Sequence, residues 1–275
     1  MIKNDYTIEG AAGKTIRIDL TAPENYETMV VFVHGFKGFK DWGTHNLTAE
    51  YFAGHGFAFL KFNFSHNGTG PDSPEEFVDL DAFASNTFTK ELFDLEQVIT
   101  LISSGQAFPA PQSINLIGHS RGGGISIIQT ADDKRIRKLV TWASVSRFRS
   151  LWMTEQEEKW REEGVVHIEN ARTKQQMPLK KELLFDLEHN SERLDILDAA
   201  RRISQPWLII HAEEDNTVPV EQALELNRQQ TQNNILLISG SDHVFGARHP
   251  WNEAKLPEAL NRVCDATIDF FKAKT

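Results

Sequence analysis

The stretch of this chain best suited to chemistry is Gly118-His119-Ser120-Arg121-Gly122, which matches the G-x-S-x-G pattern of a nucleophile elbow. An apolar run, Ile114 to Ile117, precedes it, and a glycine-rich run afterwards passes into an apolar stretch of helical length. The context reads as strand, sharp turn, helix. A serine hydroxyl becomes a useful nucleophile only when it projects from a strand end toward a base. The strained backbone that projects it leaves little space for neighbouring side chains, and Gly118 and Gly122 leave that space free. The same residues also suit a plain glycine-rich turn with a serine helix cap, so the flanking elements must decide.

Tyr6 to Glu9 and Thr15 to Leu20 alternate apolar and polar residues around Gly10-Ala11-Ala12-Gly13, as a hairpin at a sheet edge would. Met29 to Val33 is a continuous apolar run suited to a strand covered on both faces, and it ends in His34-Gly35-Phe36. Thr44 to Ala53 has helical periodicity, and Phe57 to Phe64 forms a second buried strand, which completes a parallel crossover unit. Phe88 to Ser103 reads as an amphipathic helix, Leu139 to Ala143, Trp207 to Ile210 and Ile235 to Ile238 as short strands, and Leu256 to Phe271 as a closing helix. Alternating buried strands and helices imply an α/β fold, with a mostly parallel central sheet flanked by helices on both faces.

From Ser144 to Ser204 this rhythm stops. The stretch is charge-rich and helical in tendency, with Phe148, Trp152, Trp160 and Phe185 among Glu, Lys and Arg, and no strand candidate stands out. We therefore expect a core formed by residues 1–143 and 205–275, and a helical cap insertion, 144–204, over the elbow. Trp152 and Trp160 are candidates for an apolar substrate pocket beneath it. An exposed helical hairpin with core-facing aromatics is the plainer alternative.

A formal net charge of -10 argues against a nucleic acid or an anionic membrane surface as the main partner. The first residues, MIKNDYTIEG, lack the apolar core of an export signal, and no apolar run approaches the ~20 residues of a membrane span. The single cysteine, Cys264, rules out an intrachain disulfide, so the expected compartment is a reducing cytoplasm. No H-E-x-x-H or C-x-x-C spacing calls for a metal, and the expectation is a site with neither metal nor cofactor. Oligomeric state is left open.

A nucleophilic serine needs a base, and the base needs a carboxylate to orient it. Two late strands run into suitable segments. One is His211-Ala-Glu-Glu-Asp215-Asn-Thr-Val-Pro219, and the other is Ser239-Gly-Ser-Asp242-His243. His249 is a rival base, and Glu213 and Glu214 are rival acids. His34 and His119 suit structural hydrogen bonding, His211 at a strand end suits a satisfied semi-buried position, and His66 lies in the loop after the second buried strand.

With the elbow, His34-Gly35-Phe36, Asp215 to Pro219 and Gly240 to His243 in this order, the chain resembles the α/β-hydrolase superfamily over nearly its whole length. It is similar to the small esterase, dienelactone-hydrolase and serine-aminopeptidase-like groups, and residues 144–204 carry no motif of theirs. The resemblance implies Ser120 as nucleophile, His243 as general base and then acid, and Asp215 as its orienter. It also implies an oxyanion hole built from the backbone N–H groups of Phe36 and Arg121, worth about 3 kcal/mol per donor in acyl transfer. The Arg121 side chain could attract an anionic substrate group or pair with a nearby carboxylate. The expected activity is a cofactor-free serine hydrolase of the carboxylesterase type, acting on a small or medium acyl ester. Alternatives are a peptidase or thioesterase with the same triad, or a non-catalytic small-molecule-binding protein on the same fold.

Overall fold

The computed structural model describes residues 1–230 and 234–273. Strands β1 (Ile2–Glu9) and β2 (Thr15–Ala22) form the edge hairpin, and β3 (Thr28–Val33), α1 (His45–Gly54) and β4 (Ala58–Asn63) form the first crossover. Helices α2 (Leu80–Ala84) and α3 (Phe88–Ser104) lead to β5 (Ser113–His119), α4 (Arg121–Asp132) and β6 (Ile136–Trp142). An excursion then carries α5 (Glu157–Glu163), β7 (Val165–Glu169), β8 (Gln176–Lys180), α6 (Glu182–His189) and α7 (Ile196–Arg202). The chain closes with β9 (Trp207–Ala212), α8 (Val220–Asn227), β10 (Asn234–Ile238) and α9 (Glu258–Lys272).

Eight strands form one sheet in the order β1-β2-β4-β3-β5-β6-β9-β10, parallel from β4 to β10 and antiparallel at the β1 and β2 edge. The alternation of side chains along a strand divides the core into two layers. Met29, Val31 and Val33 of β3 face the layer with α3 and α4, while Val30 and Phe32 face the layer with α1 and α9. The chain leaves β3 in one direction to form β4 and then crosses back to form β5 on its other side. This reversal opens a crevice beyond the carboxyl ends of β3 and β5, the usual ligand position in an open α/β sheet.

The excursion between β6 and β9 corrects one expectation. It is not wholly helical, because β7 and β8 pair as an antiparallel hairpin. Both strands are short, and Pro178 interrupts the second, which hides a strand signal. Phe148, Trp160, Met177, Leu179 and Leu184 of the excursion are buried in the same cluster as residues of α3 and α4. It therefore packs directly on the layer that carries the elbow helix.

Charged residues are also built into the core. Lys61 of β4 is 1% exposed, and its Nζ donates to Asp19 of β2 and to Asp41 in the loop after β3, both at 2.5 Å. Lys40 Nζ bridges the same two carboxylates, and its backbone N–H donates to Asn63 Oδ1 at 2.6 Å. Two cations and two anions thus close a ring that ties the loop after β3 to β2 and β4. Buried charges of this kind are tolerable only as a paired set. On the other layer, Lys138 Nζ donates to the carbonyls of Phe270 and Ala273 at the C-terminal end of α9, and Cys264 is fully buried in the middle of that helix. Among the described residues no helix is long and apolar enough to cross a membrane.

Two predictions concern stability. Lys61→Met leaves two carboxylates sharing Lys40, and urea unfolding should show a loss of about 3 kcal/mol; a loss within error of zero would mean the ring contributes nothing. Burial lowers His34 to about 4, His45 to about 3 and His119 to about 3, from an ordinary value of 6.5. Because these folded values lie below the unfolded one, the unfolded chain binds more protons between them. Stability is then fully present above pH 6.5 and is lost as pH falls toward 4 for His34 and toward 3 for His45 and His119, at up to about 1.4 kcal/mol per pH unit for each histidine. Burial raises the carboxyls of Glu91 and Asp94, which opposes this in part. The urea midpoint should fall steeply from pH 7 to pH 5, and a flat profile would contradict the assignment.

Candidate active site

Ser120 stands between β5 and α4 with φ 57° and ψ -122°, a positive φ that a residue with a side chain rarely adopts. The strain is held by close backbone packing on both sides. A Cβ on Gly118 would lie 2.5 Å from Ser126 Oγ, and one on Gly122 would collide with the carbonyls of Val33 and His34 at the end of β3. Ser120 N–H donates to the Trp142 carbonyl at 2.9 Å, which fixes the turn to β6 as well. The serine Oγ is thereby aimed into the crevice.

Asp215, Ser120 and His243 meet there. Asp215 follows β9 and His243 follows β10. His243 Nδ1 lies 2.7 Å from Asp215 Oδ2, and His243 Nε2 lies 3.0 Å from Ser120 Oγ. An ionised carboxylate only accepts hydrogen bonds, so Nδ1 carries the proton and Nε2 is free to accept the serine hydrogen. Burial alone would raise the Asp215 carboxyl, but hydrogen bonds from His243, Val218 N–H and Thr217 N–H hold it below its ordinary value. It stays anionic beneath the imidazole.

The rival acids and bases are placed elsewhere. Glu213 accepts from Ser239 Oγ, and Glu214 accepts from the N–H groups of Gly240 and Ser241, so both brace the turn after β10. Asp242 accepts from Val244 and Gly246 N–H within that turn. His249 Nδ1 accepts from Gly43 N–H at 2.8 Å, and His211 Nε2 donates to the Val218 carbonyl at 2.8 Å. His34 Nδ1 donates to the Gly35 carbonyl. His119 Nε2 donates to the carbonyl of His243 at 3.0 Å, which ties the loop carrying His243 to the end of β5.

Arg121 is the first residue of α4, and the first N–H groups of a helix have no intrahelical acceptor. The N–H of Phe36 likewise has no acceptor among the described residues. Two donors are therefore available beside Ser120. The Arg121 side chain is not available to a substrate. It is buried, paired with Glu91 of α3, and lies 4.6 Å over the Phe36 ring. Asn86 donates to the same carboxylate at 2.8 Å.

Ser120 opens into a cavity of about 370 Å³ that runs from the crevice into the layer of α1 and α9. Its walls include Phe32, Trp42, Trp142, Phe245 and Leu260, with Lys37 and Arg172 toward the excursion. Trp152 and Trp160, expected as pocket residues, are not among them. Trp160 is buried with its Nε1 donating to the Leu179 carbonyl, and Trp152 donates to Glu157. They pack edge to face and line a separate cleft of about 20 Å³ behind Phe36. The excursion reaches the main cavity instead through Asn170, Ala171 and Arg172, at the turn of the β7–β8 hairpin. A turn composition at Asn170 is visible in the sequence, but its position over the serine depends on the hairpin.

Among the described residues, no three of His, Cys, Asp and Glu are grouped to hold a metal ion. No protein-family model and no curated relative matches the sequence. Solved structures do match. The α/β hydrolase GrgF from Penicillium sp. sh18 is 18% identical with TM-score 0.68, covering 99% of this chain and 98% of its own. Est1E from Butyrivibrio proteoclasticus is 17% identical with TM-score 0.68, covering 97% of each chain. The esterase domain of a Rhodothermus marinus protein is 19% identical with TM-score 0.62, covering 88% of this chain and 90% of that one. At these identities the likeness concerns architecture, and it agrees with the sheet order, the elbow and the crevice described above: the chain has the α/β-hydrolase fold.

Proposed function

We propose that this protein is a serine hydrolase that cleaves carboxylic esters of small or medium size. The observation that carries this reading is the unbroken hydrogen-bond chain from Asp215 through His243 to Ser120 Oγ, ending at the mouth of an apolar cavity. A ligand-binding protein has no use for a serine aligned with an oriented base. Structural neighbours described as esterases agree with the class.

The chemistry follows from the protonation pattern. Ser120 Oγ attacks the ester carbonyl while His243 Nε2 takes its proton, and the resulting imidazolium is stabilised by the Asp215 carboxylate. The oxyanion of the tetrahedral intermediate is held by the N–H groups of Phe36 and Arg121. Collapse of the intermediate expels the alcohol, which leaves with the proton from His243. A water molecule, deprotonated by the same imidazole, then attacks the acyl-serine and regenerates Ser120. All the residues this cycle needs come from this chain, and an acidic protein with one buried thiol suits a reducing cytoplasm.

A fluorophosphonate tests the proposal directly. Wild-type protein should gain one adduct by intact mass, and Ser120→Ala should gain none. Hydrolysis of a short activated ester should fall by roughly 10⁴-fold or more in Ser120→Ala and His243→Ala, and by roughly 10³- to 10⁴-fold in Asp215→Asn, where the preferred imidazole tautomer is lost. Full turnover by Ser120→Ala would sink the reading.

A further inference from the structure

A charged pair is buried beside the elbow, and the ester chemistry does not use its side chains. Arg121 is 5% exposed and Glu91 0%, and Arg121 Nη2 donates to Glu91 Oε1. Arg121 Nε and Glu91 Oε2, also buried, have no hydrogen-bond partner among the described residues. An apolar pair of the same volume would remove these stranded atoms at little or no loss of stability, so the fold alone does not account for the charges. What the guanidinium also touches is Phe36. Its Cζ lies 4.6 Å from the centre of the Phe36 ring, and Asn86 Nδ2, donating to Glu91 Oε1 at 2.8 Å, helps to fix the carboxylate that holds it. A desolvated guanidinium attracts an aromatic face more strongly than an exposed one does. The same ring is stacked on Phe83 of α2 at 5.7 Å, whereas Lys37 Nζ, a second cation near it, lies 5.7 Å away on a half-buried side chain.

Phe36 needs such a hold. It is the second residue of a turn closed by Gly38 N–H donating to the Gly35 carbonyl at 3.0 Å, and the third residue, Lys37, sits at φ 56°, which is strained for any residue but glycine. A strained turn relaxes unless packing opposes it. Restraining the ring restrains the Cα that carries the Phe36 N–H. Arg121 and Phe36 are also the residues whose backbone N–H groups are available beside Ser120. Resting on the serine-hydrolase reading above, we infer that Arg121 is a positioning residue through its side chain: the guanidinium, set by Glu91, grips the Phe36 ring and so fixes one N–H donor relative to the other. The oxyanion hole is thereby locked by the side chains of the two residues that form it, and the run from Phe83 to Glu91 is its outer support.

The experiment reads the oxyanion hole separately from the rest of the site. Phenyl butanoate is compared with its thiono counterpart, in which sulfur replaces the carbonyl oxygen; sulfur is larger and a poorer hydrogen-bond acceptor, so it draws less on the two donors. Relative to the rates with hydroxide, wild-type protein should favour the oxygen ester by about a hundredfold in kcat/KM. Phe36→Leu and Arg121→Met should each lower that ratio by about tenfold, with the loss in kcat and KM near the wild-type value, because the donors act on charge that develops after binding. The double variant should lower it no further than either single one, since both changes break the same contact. Phe36→Tyr, which keeps the aromatic face, should retain the wild-type ratio. The ratio is taken within one sample, so partial unfolding does not imitate the result, and Arg121→Met is also made together with Glu91→Leu, which removes the carboxylate it would strand. A ratio unchanged in both single variants, losses that multiply in the double variant, or a wild-type ratio near one overturns the inference and leaves serine hydrolysis standing. Wild-type protein that takes no fluorophosphonate adduct and cleaves neither ester overturns both.

Discussion

The site depends on one close backbone contact. The elbow after β5 presses against the end of β3 so tightly that a single added carbon at Gly122 would meet the Val33 and His34 carbonyls. This contact joins the strained serine and the loop carrying the Phe36 N–H into one rigid piece. For the proposed hydrolysis, the placement of the two N–H donors relative to Ser120 is thus settled by folding, before any reaction. The ring of Lys40, Lys61, Asp19 and Asp41 serves the same end from the far side of the loop, by tying it to two strands that do not themselves reach the site.

His243 sits on a loop, which would leave its ring free to wander. Two restraints limit it. Asp215 holds one ring nitrogen, and His119 holds the backbone carbonyl. A residue of the elbow thereby restrains His243 as well as Ser120, so the ends of three different strands behave as one unit.

Much of this was legible in the sequence, for a specific reason. Ser120, Asp215 and His243 each follow a short apolar run that reads as a strand, so their convergence at one end of a parallel sheet follows from strand direction. The excursion between β6 and β9 was less legible. Pro178 and the polar residues of β7 and β8 hide the hairpin, since pairing within an excursion depends on its two strands finding each other and not on a shared buried face. Trp152 and Trp160 misled because an aromatic ring in a charged segment fits a structural cluster as well as a ligand.

The burial of Cys264 on the inner face of α9 has a practical side. A thiol must lose its proton to react, and burial pushes this one far above its ordinary value. Alkylating reagents can therefore reach it only when the helical layer lifts from the sheet. As the chain has no second cysteine, its unaltered sequence contains a built-in clock for that opening, read as the rate at which a single label is acquired.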